Sequence, residues 1–297
     1  MAAASQSVQI GGRTIKVTNL DRVMYPQDGT TKAEVLHYLV TVAPQLGGQV
    51  RDRILTRKRW PHGVAEQSFF EKNLPGGTPE WIDSVMFGRD PIRYPVVREA
   101  APEAALAWFA QLGVLEFHVP QWRVSSDGVP RLPDRIVIDL DPGPPAGLPE
   151  CREVALAVRD AVAGLGLACL PVLSGSKGMQ LYLPLPDSGP VSLGIDSDQA
   201  SQFARSLAVT LEEALGSLVV SRMAKSLRPG KVLLDWSQNN ESKTTIAPYS
   251  LRGTPRPFVA APVTWAEVEA GDLRQFTASE VLARLAQDGD PLGTPGS

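Results

Sequence analysis

Two aspartates that follow an apolar run, one residue apart, constrain this chain more than any other feature. They are Asp139 and Asp141 in the run RIVIDLDPG. The β-branched side chains of residues 135–140 and the Pro-Gly pair after them predict a strand that ends here. Side chains at i and i+2 of a strand face the same side of a sheet, with Cα atoms about 6.5 to 7 Å apart. The two carboxylates can therefore converge on divalent cations, although a lone pair of this kind also occurs in surface turns.

A glycine-rich turn between two apolar runs is the second informative segment. Residues 171–173 and 179–185 are predicted strands, and the turn between them reads Ser-Gly-Ser-Lys-Gly. Glycines let the backbone approach a ligand closely, and successive amides, two hydroxyls and the Lys177 ammonium would form a concavity that binds phosphates. The turn is not a Walker loop, because the GxxxxGK[ST] spacing is absent. Turns of this composition are commonly structural, so the turn alone is a weak signal.

A third segment repeats the pattern of an acidic residue at the end of an apolar strand. Residues 232–234 are the predicted strand, Asp235 follows it, and Lys231, Lys243 and Arg252 flank it. Three carboxylates, a phosphate-binding turn and basic surroundings together suit phosphoryl or nucleotidyl transfer. In that chemistry, catalysis consists mostly of positioning and of charge neutralisation by metals.

Charge and composition narrow the classes of function. The net charge is −3, yet residues 222–256 carry seven Lys and Arg, and residues 51–59 carry five. A basic face on a nearly neutral body favours a polyanionic ligand. Two cysteines and three histidines argue against a disulfide framework and a structural zinc site. No stretch approaches about 20 apolar residues, so no membrane contact is predicted, and we expect a cytoplasmic, nucleoid-associated protein.

Four helices are predicted from capping residues and apolar spacing. Thr31-Lys-Ala-Glu is a capping box that opens a helix running to about Leu46. Residues 150–164 and 197–216 are amphipathic and end at glycines, and a second capping box opens a last helix over residues 277–287. Helices and strands are thus mixed along the chain.

The motifs described above resemble one known family. IDLDPG, SGSKG, LLDWSQN and SKTTIAPYSLRG are similar to motifs of the polymerase domain of bacterial DNA ligase D, a member of the archaeo-eukaryotic primase superfamily. The resemblance continues upstream through TNLDRVMYP, GTTKAEV, TRKRWPHGV, SFFEK and EFHVPQWR and covers nearly the whole chain. It implies an α+β, two-lobed primase-polymerase fold with an RRM-like catalytic sheet, a second N-terminal sheet lobe and flanking helices. We expect residues 1–297 to form a single domain with the active site between the lobes and loose stretches at 1–7, 187–196 and 290–297.

The resemblance implies template-dependent nucleotidyl transfer in bacterial DNA repair: primer extension, gap filling and synthesis of the end-joining type. Two ions of Mn²⁺ or Mg²⁺ would assist, NTPs would be preferred over dNTPs, and the DNA would carry a gap or a 5′-phosphate end. Asp139 and Asp141 would hold both metals, and Asp235 would complete the site of the metal that activates the primer 3′-hydroxyl. The chain has no KxDG lysine motif, so a separate DNA ligase and an end-binding protein are expected partners.

Further site residues are carried over by their position in the matching motifs. Those assigned to the nucleotide are Lys58, His118, Ser174, Lys177, Gln180, Arg228, Gln238 and Arg252. Those assigned to DNA are Asn19, Arg22 and Lys32, for a downstream 5′-phosphate, and Phe69 and Phe70, for stacking on a template base. Structural alternatives stay open, because basic runs commonly face solvent, a histidine on a polar strand face can simply be solvated, and one ring of an aromatic pair can belong to the core.

Three departures from the family pattern affect these expectations. Arg22 stands where the TNxxK element has its lysine, which keeps the charge and adds bidentate geometry. Gln180 replaces the histidine of SGSKGxH, so affinity for the triphosphate would be weaker or metal-dependent. Residues 123–135 form a short connection where a DNA-contacting loop is often inserted, which would favour priming or short-gap filling without break synapsis.

Other functions would use part of the same set of residues. A primase or short-gap polymerase would act without joining breaks, and a metal-dependent nuclease would need the carboxylates but no triphosphate site. A non-catalytic DNA-end binding module would keep Lys32 and the aromatic pair and would tolerate loss of the aspartates. A small-molecule nucleotidyltransferase would lack the 5′-phosphate pocket. The presence of all three aspartates favours the polymerase.

Overall fold

Short strands form most of the elements in the structure, a computed structural model that describes residues 5–88, 92–98, 102–185 and 194–293. In chain order the strands are Ser5–Ile10 (β1), Arg13–Thr18 (β2), Val23–Tyr25 (β3), Thr30–Thr31 (β4), Thr56–Arg59 (β5), Phe69–Glu71 (β6), Ser84–Phe87 (β7), Ile92–Pro95 (β8), Val114–Val119 (β9), Trp122–Val124 (β10), Pro130–Pro133 (β11), Arg135–Pro142 (β12), Leu170–Leu173 (β13), Met179–Pro184 (β14), Val219–Val220 (β15), Val232–Asp235 (β16), Thr245–Ile246 (β17) and Ala261–Pro262 (β18).

The α-helices are Lys32–Thr41 (α1), Ala43–Val50 (α2), Glu103–Gln111 (α3), Leu148–Ala163 (α4), Ser197–Ala214 (α5), Trp265–Ala270 (α6) and Ala278–Asp288 (α7). Two 3₁₀ helices cover Lys225–Leu227 and Trp236–Asn239. Within the described ranges, none of the helices combines the length and the apolar character needed to cross a bilayer.

The aspartate strand β12 lies in the middle of a six-stranded sheet. The strand order is β15-β16-β12-β14-β13-β18, and all neighbours are antiparallel except β15 and β16. Apart from the short edge strand β15, the elements β12, α4, β13, β14, α5 and β16 follow one another along the chain. In the sheet, β16 lies beside β12, and β14 separates β12 from β13. This is the arrangement of an RRM, so the predicted α+β class and RRM-like sheet are confirmed. Helices α4 and α5 cover one face with a buried apolar cluster.

The second lobe is built around a four-stranded antiparallel sheet in the order β17-β9-β5-β6. Side chains of α1, α2 and α3 form a separate buried cluster with those of β9. The second lobe is not purely N-terminal, because β17 follows Asp235 in the chain. Residues 236–246 therefore leave the six-stranded sheet and end in the other one, where Ile246 pairs with His118.

The predicted bounds of most elements agree with the structure to within two residues, and one helix prediction was wrong. The helix predicted from Thr31 to Leu46 ends at Thr41, and a second helix begins at Ala43. Pro44 lies in the first turn of this second helix. Proline has no amide hydrogen to donate to the preceding turn, so one continuous helix cannot pass through it without a break.

Part of the stretches expected to be loose is ordered. Residues 5–7 belong to β1, so that expectation was wrong for them. Asp196 is the N-cap of α5 and accepts a hydrogen bond from the amide of Gln199, and Asp290 accepts one from the Tyr249 hydroxyl. The remaining residues of these stretches that lie outside the described ones are 1–4, 187–193 and 294–297.

Candidate active site

Asp139, Asp141 and Asp235 meet on the face of the six-stranded sheet that α4 and α5 leave open. Asp139 lies directly opposite Asp235 on β16, and Asp141 follows two residues later on the same face of β12. Within the described part of the chain, one carboxylate oxygen from each residue lies within 4.8 Å of the other two. The alternating residues Ile138 and Leu140 are buried under the helices. The alternation along β12 therefore fixes the direction of both of its carboxylates.

Three carboxylates at this spacing repel one another. Burial and the charges of Asp141 and Asp235 raise the pKa of Asp139, and burial and Asp235 raise the pKa of Asp141. Neighbouring cationic side chains act in the opposite direction without cancelling the effect. A divalent cation would favour the ionised carboxylates, and three hard oxygen donors are the ligand type that Mg²⁺ and Mn²⁺ prefer. The residues present thus fit a site for such ions.

The orientation of Asp235 is fixed by the 3₁₀ helix that follows it. One carboxylate oxygen accepts hydrogen bonds from the backbone amide and the hydroxyl of Ser237, at 2.9 and 2.6 Å. The other accepts one from the side-chain amide of Gln238 at 3.1 Å. The side chain of Asn239 makes two hydrogen bonds to the backbone of Val137. Its Oδ1 accepts from the Val137 amide and its Nδ2 donates to the Val137 carbonyl oxygen, each at 2.8 Å. The run Asp-Trp-Ser-Gln-Asn therefore attaches the third carboxylate to β12, a role that sequence reasoning missed for Ser237 and Asn239.

The glycine-rich turn is pressed against the aspartate strand. A Cβ atom at Gly178 would lie 1.9 Å from the carbonyl oxygen of Leu140, and Gly175 has a φ of +69°. Only glycine fits such a close approach without displacing the strand, and glycine adopts the positive φ without strain. The Ser174 hydroxyl accepts hydrogen bonds from the amides of Ser176 and Gly178, both at 3.2 Å. The turn is therefore held rigidly next to Asp139 and Asp141.

The turn offers fewer ligand-facing amides than the sequence predicts. The amide of Gly175 donates to the side chain of Gln275 at 2.7 Å, and those of Ser176 and Gly178 donate to Ser174. The predicted cradle of successive amides was wrong for these three, because the turn uses them to hold its own shape. Gln275 lies 100 residues from Gly175 along the chain, and no sequence signal marks its role.

A cavity of about 200 Å³ opens beside the carboxylates and is lined by both lobes. Of the predicted site residues, it brings together His118, Asp139, Asp141, Ser174, Lys177, Gln180, Gln238 and Arg252. The lining residues that were not predicted are Ser176, Thr244, Thr245 and Ile246. The last three lie within the run SKTTIAPYSLRG, so the motif was noticed but their individual roles were not.

Glu116 holds two of the lining residues in place. It accepts a hydrogen bond from Nε2 of His118 at 2.8 Å and one from the amide of Gly253 at 3.0 Å, and the Arg252 guanidinium lies 3.8 Å from it. Burial alone would raise the pKa of Glu116, but these neighbours lower it to about 2. The ionised carboxylate therefore orients a histidine and an arginine toward the cavity, and it was missed as a functional residue.

Lys58 and the two adjacent phenylalanines lie outside the cavity lining. The Lys58 ammonium is 4.8 and 5.1 Å from the ring centroids of Trp60 and Phe70, and Phe70 meets the His118 ring edge-on at 5.6 Å. Phe69 and Phe70 are 49% and 64% exposed. The alternative of one core ring and one edge ring is therefore wrong, because both rings face solvent on the edge strand β6.

Arg228 also lies outside the cavity lining. Its guanidinium donates to the carbonyl oxygen of Met223 at 2.7 Å, and its charge lowers the pKa of Asp141. The structure thus places Arg228 within electrostatic reach of the carboxylates rather than in the nucleotide cavity that the sequence predicts for it.

The residues predicted to bind a 5′-phosphate lie together on the second lobe. Lys32 and Arg22 are joined by a backbone hydrogen bond of 2.8 Å, and Asn19 turns the chain into this segment with a φ of +52°. Lys32 is only 5% exposed, and its ammonium donates to the carbonyl oxygen of Thr18 at 3.0 Å. Burial and the nearby charge of Arg22 lower the pKa of Lys32 to about 8. A buried lysine beside another cation is a site that an anion would stabilise.

Gln180 lies on the carboxylate face of β14, directly opposite Asp139. Its side chain hydrogen-bonds to the Asp139 carboxylate, which lowers the pKa of that carboxyl group. The Tyr182 hydroxyl donates to the Gln180 carbonyl oxygen at 3.2 Å, whereas Met179 and Leu181 are buried under the helices. Gln180 therefore reaches the cavity, but its amide is engaged by Asp139 rather than projecting freely into it.

Gln180→His is expected to lower the KM for a nucleoside triphosphate about fivefold. A protonated imidazole beside Asp139 would add a charged donor, and charged hydrogen bonds exceed neutral ones by roughly 1 kcal/mol. Steady-state kinetics and a melting curve are the measurements. Gln111→His, at a partly buried glutamine of α3 that bonds Thr18 outside the cavity lining, is the control and should lower the melting temperature only. An unchanged KM with a lowered melting temperature in Gln180→His would make Gln180 a purely structural amide.

Comparison with known proteins gives one consistent family. The sequence pattern described as "LigD, primase-polymerase domain" matches residues 31–292. The multifunctional non-homologous end joining DNA repair protein LigD of Mycobacterium tuberculosis is 48% identical over 94% of this chain. The bifunctional non-homologous end joining protein LigD of Bacillus subtilis is 31% identical, also over 94% of the chain. These alignments cover 36% and 43% of the two relatives, so the chain spans well under half of their length.

A solved structure agrees with the sequence comparison. The polymerase domain of M. tuberculosis ligase D, in complex with DNA, has a TM-score of 0.86 and 47% sequence identity to this chain. The match covers 93% of this chain and 96% of that one. The resemblance seen in the motifs is thereby confirmed over both lobes, and the chain belongs to the LigD primase-polymerase family.

Proposed function

We propose that the protein is a template-dependent nucleotidyltransferase that extends a DNA primer and fills gaps in end-joining repair. One observation carries the proposal: a single cavity is lined by Asp139 and Asp141 and also by Lys177 and Arg252. A nuclease would need the carboxylates but not the cationic turn, and a DNA-binding module would need neither at this spacing. Polymerisation requires both, because the metal-binding carboxylates and the cations that bind the phosphates must act on the same bound triphosphate.

In this mechanism the chain's own residues bind and orient the reactants. Asp139, Asp141 and Asp235 hold two divalent cations, for which we expect Mn²⁺ to be preferred over Mg²⁺. When bound, such ions activate the primer 3′-hydroxyl and stabilise charge on the attacked phosphate and the leaving group. Lys177 and Arg252 bind the triphosphate and neutralise the pyrophosphate as it departs, because charge-assisted hydrogen bonds to phosphate strengthen as negative charge develops.

The nucleotide is held before reaction by side chains that are already oriented. Glu116 keeps His118 and Arg252 directed at the cavity, and Gln275 and Ser174 keep the turn with Lys177 against β12. A preorganised site does not reorganise when charge develops in the transition state, which is the usual source of electrostatic catalysis. We expect NTPs to be preferred over dNTPs as substrates.

The template and the downstream strand would bind on the second lobe. Phe69 and Phe70 present exposed rings, and that of Phe70 lies next to His118. Stacking of a base on an aromatic ring contributes about 1–3 kcal/mol per base. Lys32 and Arg22 would take a 5′-phosphate at the far side of a gap. This arrangement would place the templating base near the nucleotide. Binding of the 5′-phosphate would fix the position of the gap relative to the active site.

Partners are proposed from the names of the relatives. Those proteins are called multifunctional and bifunctional non-homologous end joining proteins, and this chain covers only part of their length. We therefore propose that the polymerase acts together with a DNA ligase activity and an end-binding protein at the same break.

Primer extension on DNA with a short gap and a downstream 5′-phosphate tests the proposal. The primer should lengthen by the nucleotide complementary to the template, faster with NTPs than dNTPs and with Mn²⁺ than Mg²⁺, and a metal chelator should stop it. Changing the template base should change the nucleotide that is added. Shortening of the primer would instead indicate a nuclease, and DNA binding without extension would indicate a non-catalytic module.

A further inference from the structure

A second group of arginines lies between the two lobes, outside the residues that line the nucleotide cavity. Arg53, Arg123 and Arg135 line another cavity of about 200 Å³, and the one carboxylate among its described lining residues is that of Asp134. Arg53 is 1% exposed and Arg135 is 7% exposed. Arginine is almost never buried to this extent unless its charge is compensated. The cavity therefore concentrates positive charge in a place where water cannot screen it well.

The single carboxylate is shared between two of the arginines. Nη2 of Arg53 lies 2.6 Å from both oxygens of Asp134, and Nε of Arg123 lies 2.6 Å from one of them. Burial would raise the pKa of Asp134, but the surrounding arginines lower it to about 2. Asp134 is thus fully ionised at neutral pH, and it can compensate only one of the three positive charges.

Arg135 has no carboxylate partner in the part of the chain that the structure describes. Its Nε and Nη1 donate to the side-chain carbonyl oxygens of Gln121 and Gln49 at 2.8 and 3.0 Å, and its guanidinium lies 5.1 Å from the Tyr182 ring centroid. Among the described residues, Nη2 of Arg135 and Nε of Arg53 are buried without a hydrogen-bond partner. Neutral amides do not cancel a charge, and buried donors without acceptors are costly. The arrangement is complete only with an additional anion.

We propose that this cavity binds a phosphate group, supplied either as a free phosphate ion or by a nucleic-acid backbone. Guanidinium groups present planar pairs of N–H donors that match the oxygens of a phosphate, and two or three arginines around one group form a strong oxyanion site. The depth of Arg53 and Arg135 favours a small, tetrahedral anion over a flat or extended one. We refer to this cavity as the arginine site.

The position of the arginine site relates it to the carboxylates. Arg135 and Asp139 lie on the same face of β12, four residues or about 13 Å apart. Between them, the ring of Tyr182 faces Arg135, and its hydroxyl contacts Gln180, which bonds Asp139. The arginine site is therefore separate from the nucleotide cavity but lies at the other end of a continuous row of polar side chains.

Thermal denaturation with inorganic phosphate tests the proposal. Lys32→Ala and Lys177→Ala are combined first, so that the other two candidate phosphate sites lose their lysines. Phosphate is then titrated at constant ionic strength against chloride. We expect a saturable rise in melting temperature of about 2 °C or more, because a ligand that binds only the folded state stabilises it. Adding Arg123→Gln, at a partly exposed position, should remove most of this rise. Arg159→Gln, at an arginine on α4 outside the cavity, is the control and should retain it.

A second measurement separates the two sources of the phosphate group. The affinity for gapped DNA is measured against salt concentration for the Arg123→Gln and Arg159→Gln proteins. If the slope of log affinity against log salt concentration falls by about one phosphate contact for Arg123→Gln and not for Arg159→Gln, the DNA backbone is the source. A saturable phosphate effect with unchanged salt dependence would identify the free ion. The proposal is overturned if neither measurement distinguishes the two variants, or if the phosphate effect never saturates, which is the behaviour of an adventitious ion only.

Discussion

Asp139→Asn is expected to reduce primer extension at least about a thousandfold, the upper range for loss of one preorganised electrostatic group. The substitution keeps the shape of the side chain but removes one of three charges that converge within 4.8 Å. Affinity for gapped DNA should stay within about twofold, because the proposed DNA contacts lie on the other lobe. Single-turnover extension and gel-shift titration are the measurements. Asp160→Asn, an equal change of charge on the exposed part of α4, is the matched control.

The same variant should respond differently to metal. In the wild-type protein Mn²⁺ should raise the melting temperature, because the ion compensates the burial and the repulsion between carboxylates that together raise the pKa of Asp139. In a metal chelator Asp139→Asn should melt at a higher temperature than the wild type, since a neutral amide avoids both the cost of burying a carboxylate and its repulsion with the other two. Extension by Asp139→Asn within tenfold of the wild-type rate would contradict the assignment of the metal site.

Gapped DNA with a downstream 5′-phosphate is expected to bind about tenfold or more tightly than the same DNA with a 5′-hydroxyl, and Lys32→Ala should abolish the difference. A hydrogen bond to a charged group contributes roughly 1.5–3 kcal/mol, which corresponds to that ratio. Equilibrium titration of both DNAs gives the ratio for each protein. Lys16→Ala, at an exposed lysine on β2, should change both affinities equally and leave the ratio intact.

The preference for the 5′-phosphate should depend on pH. The pKa of Lys32 in the free protein is about 8, so its ammonium is mostly charged at pH 7 and mostly neutral at pH 9. The phosphate is already ionised throughout this range. Above pH 8 the protein must take up a proton to bind the phosphate, and the preference should fall by up to about tenfold by pH 9. A ratio that stays constant from pH 7 to 9 would show that Lys32 does not contact the phosphate.

The lobe with the aspartates was predictable because its signals are local. A run of β-branched residues predicted β12, and amphipathic spacing with glycine stops predicted α4 and α5, all within about two residues of their bounds. The break between α1 and α2 was missed because the capping box at Thr31 predicts only where a helix begins, whereas Pro44 prevents it from continuing. The mixed origin of the second lobe could not be predicted from the order of elements, since the pairing of β17 with β9 joins residues more than a hundred positions apart.

Site residues, like the elements of the fold, were predicted where the signal is local and missed where it depends on residues distant in the chain. Carboxylates and the glycine-rich turn were found because strand periodicity and turn chemistry fix them locally. Glu116, Gln275 and Asn239 were missed as functional residues because their roles depend on partners brought near by the fold, such as Arg252, Gly175 and Val137. The exposure of both aromatic rings likewise follows from the edge position of β6, which a sequence does not specify.

The passage of the chain from β16 to β17 has a consequence for synthesis of the protein. Residues 235–246 supply the third carboxylate and then complete the sheet beside His118. On the ribosome, the two aspartates of β12 are synthesised about a hundred residues before this segment. Until it follows, the set of three carboxylates is incomplete and the second sheet lacks β17, the strand beside His118. On the proposed function, we therefore expect a fragment that stalls before Asp235 to have no synthetic activity.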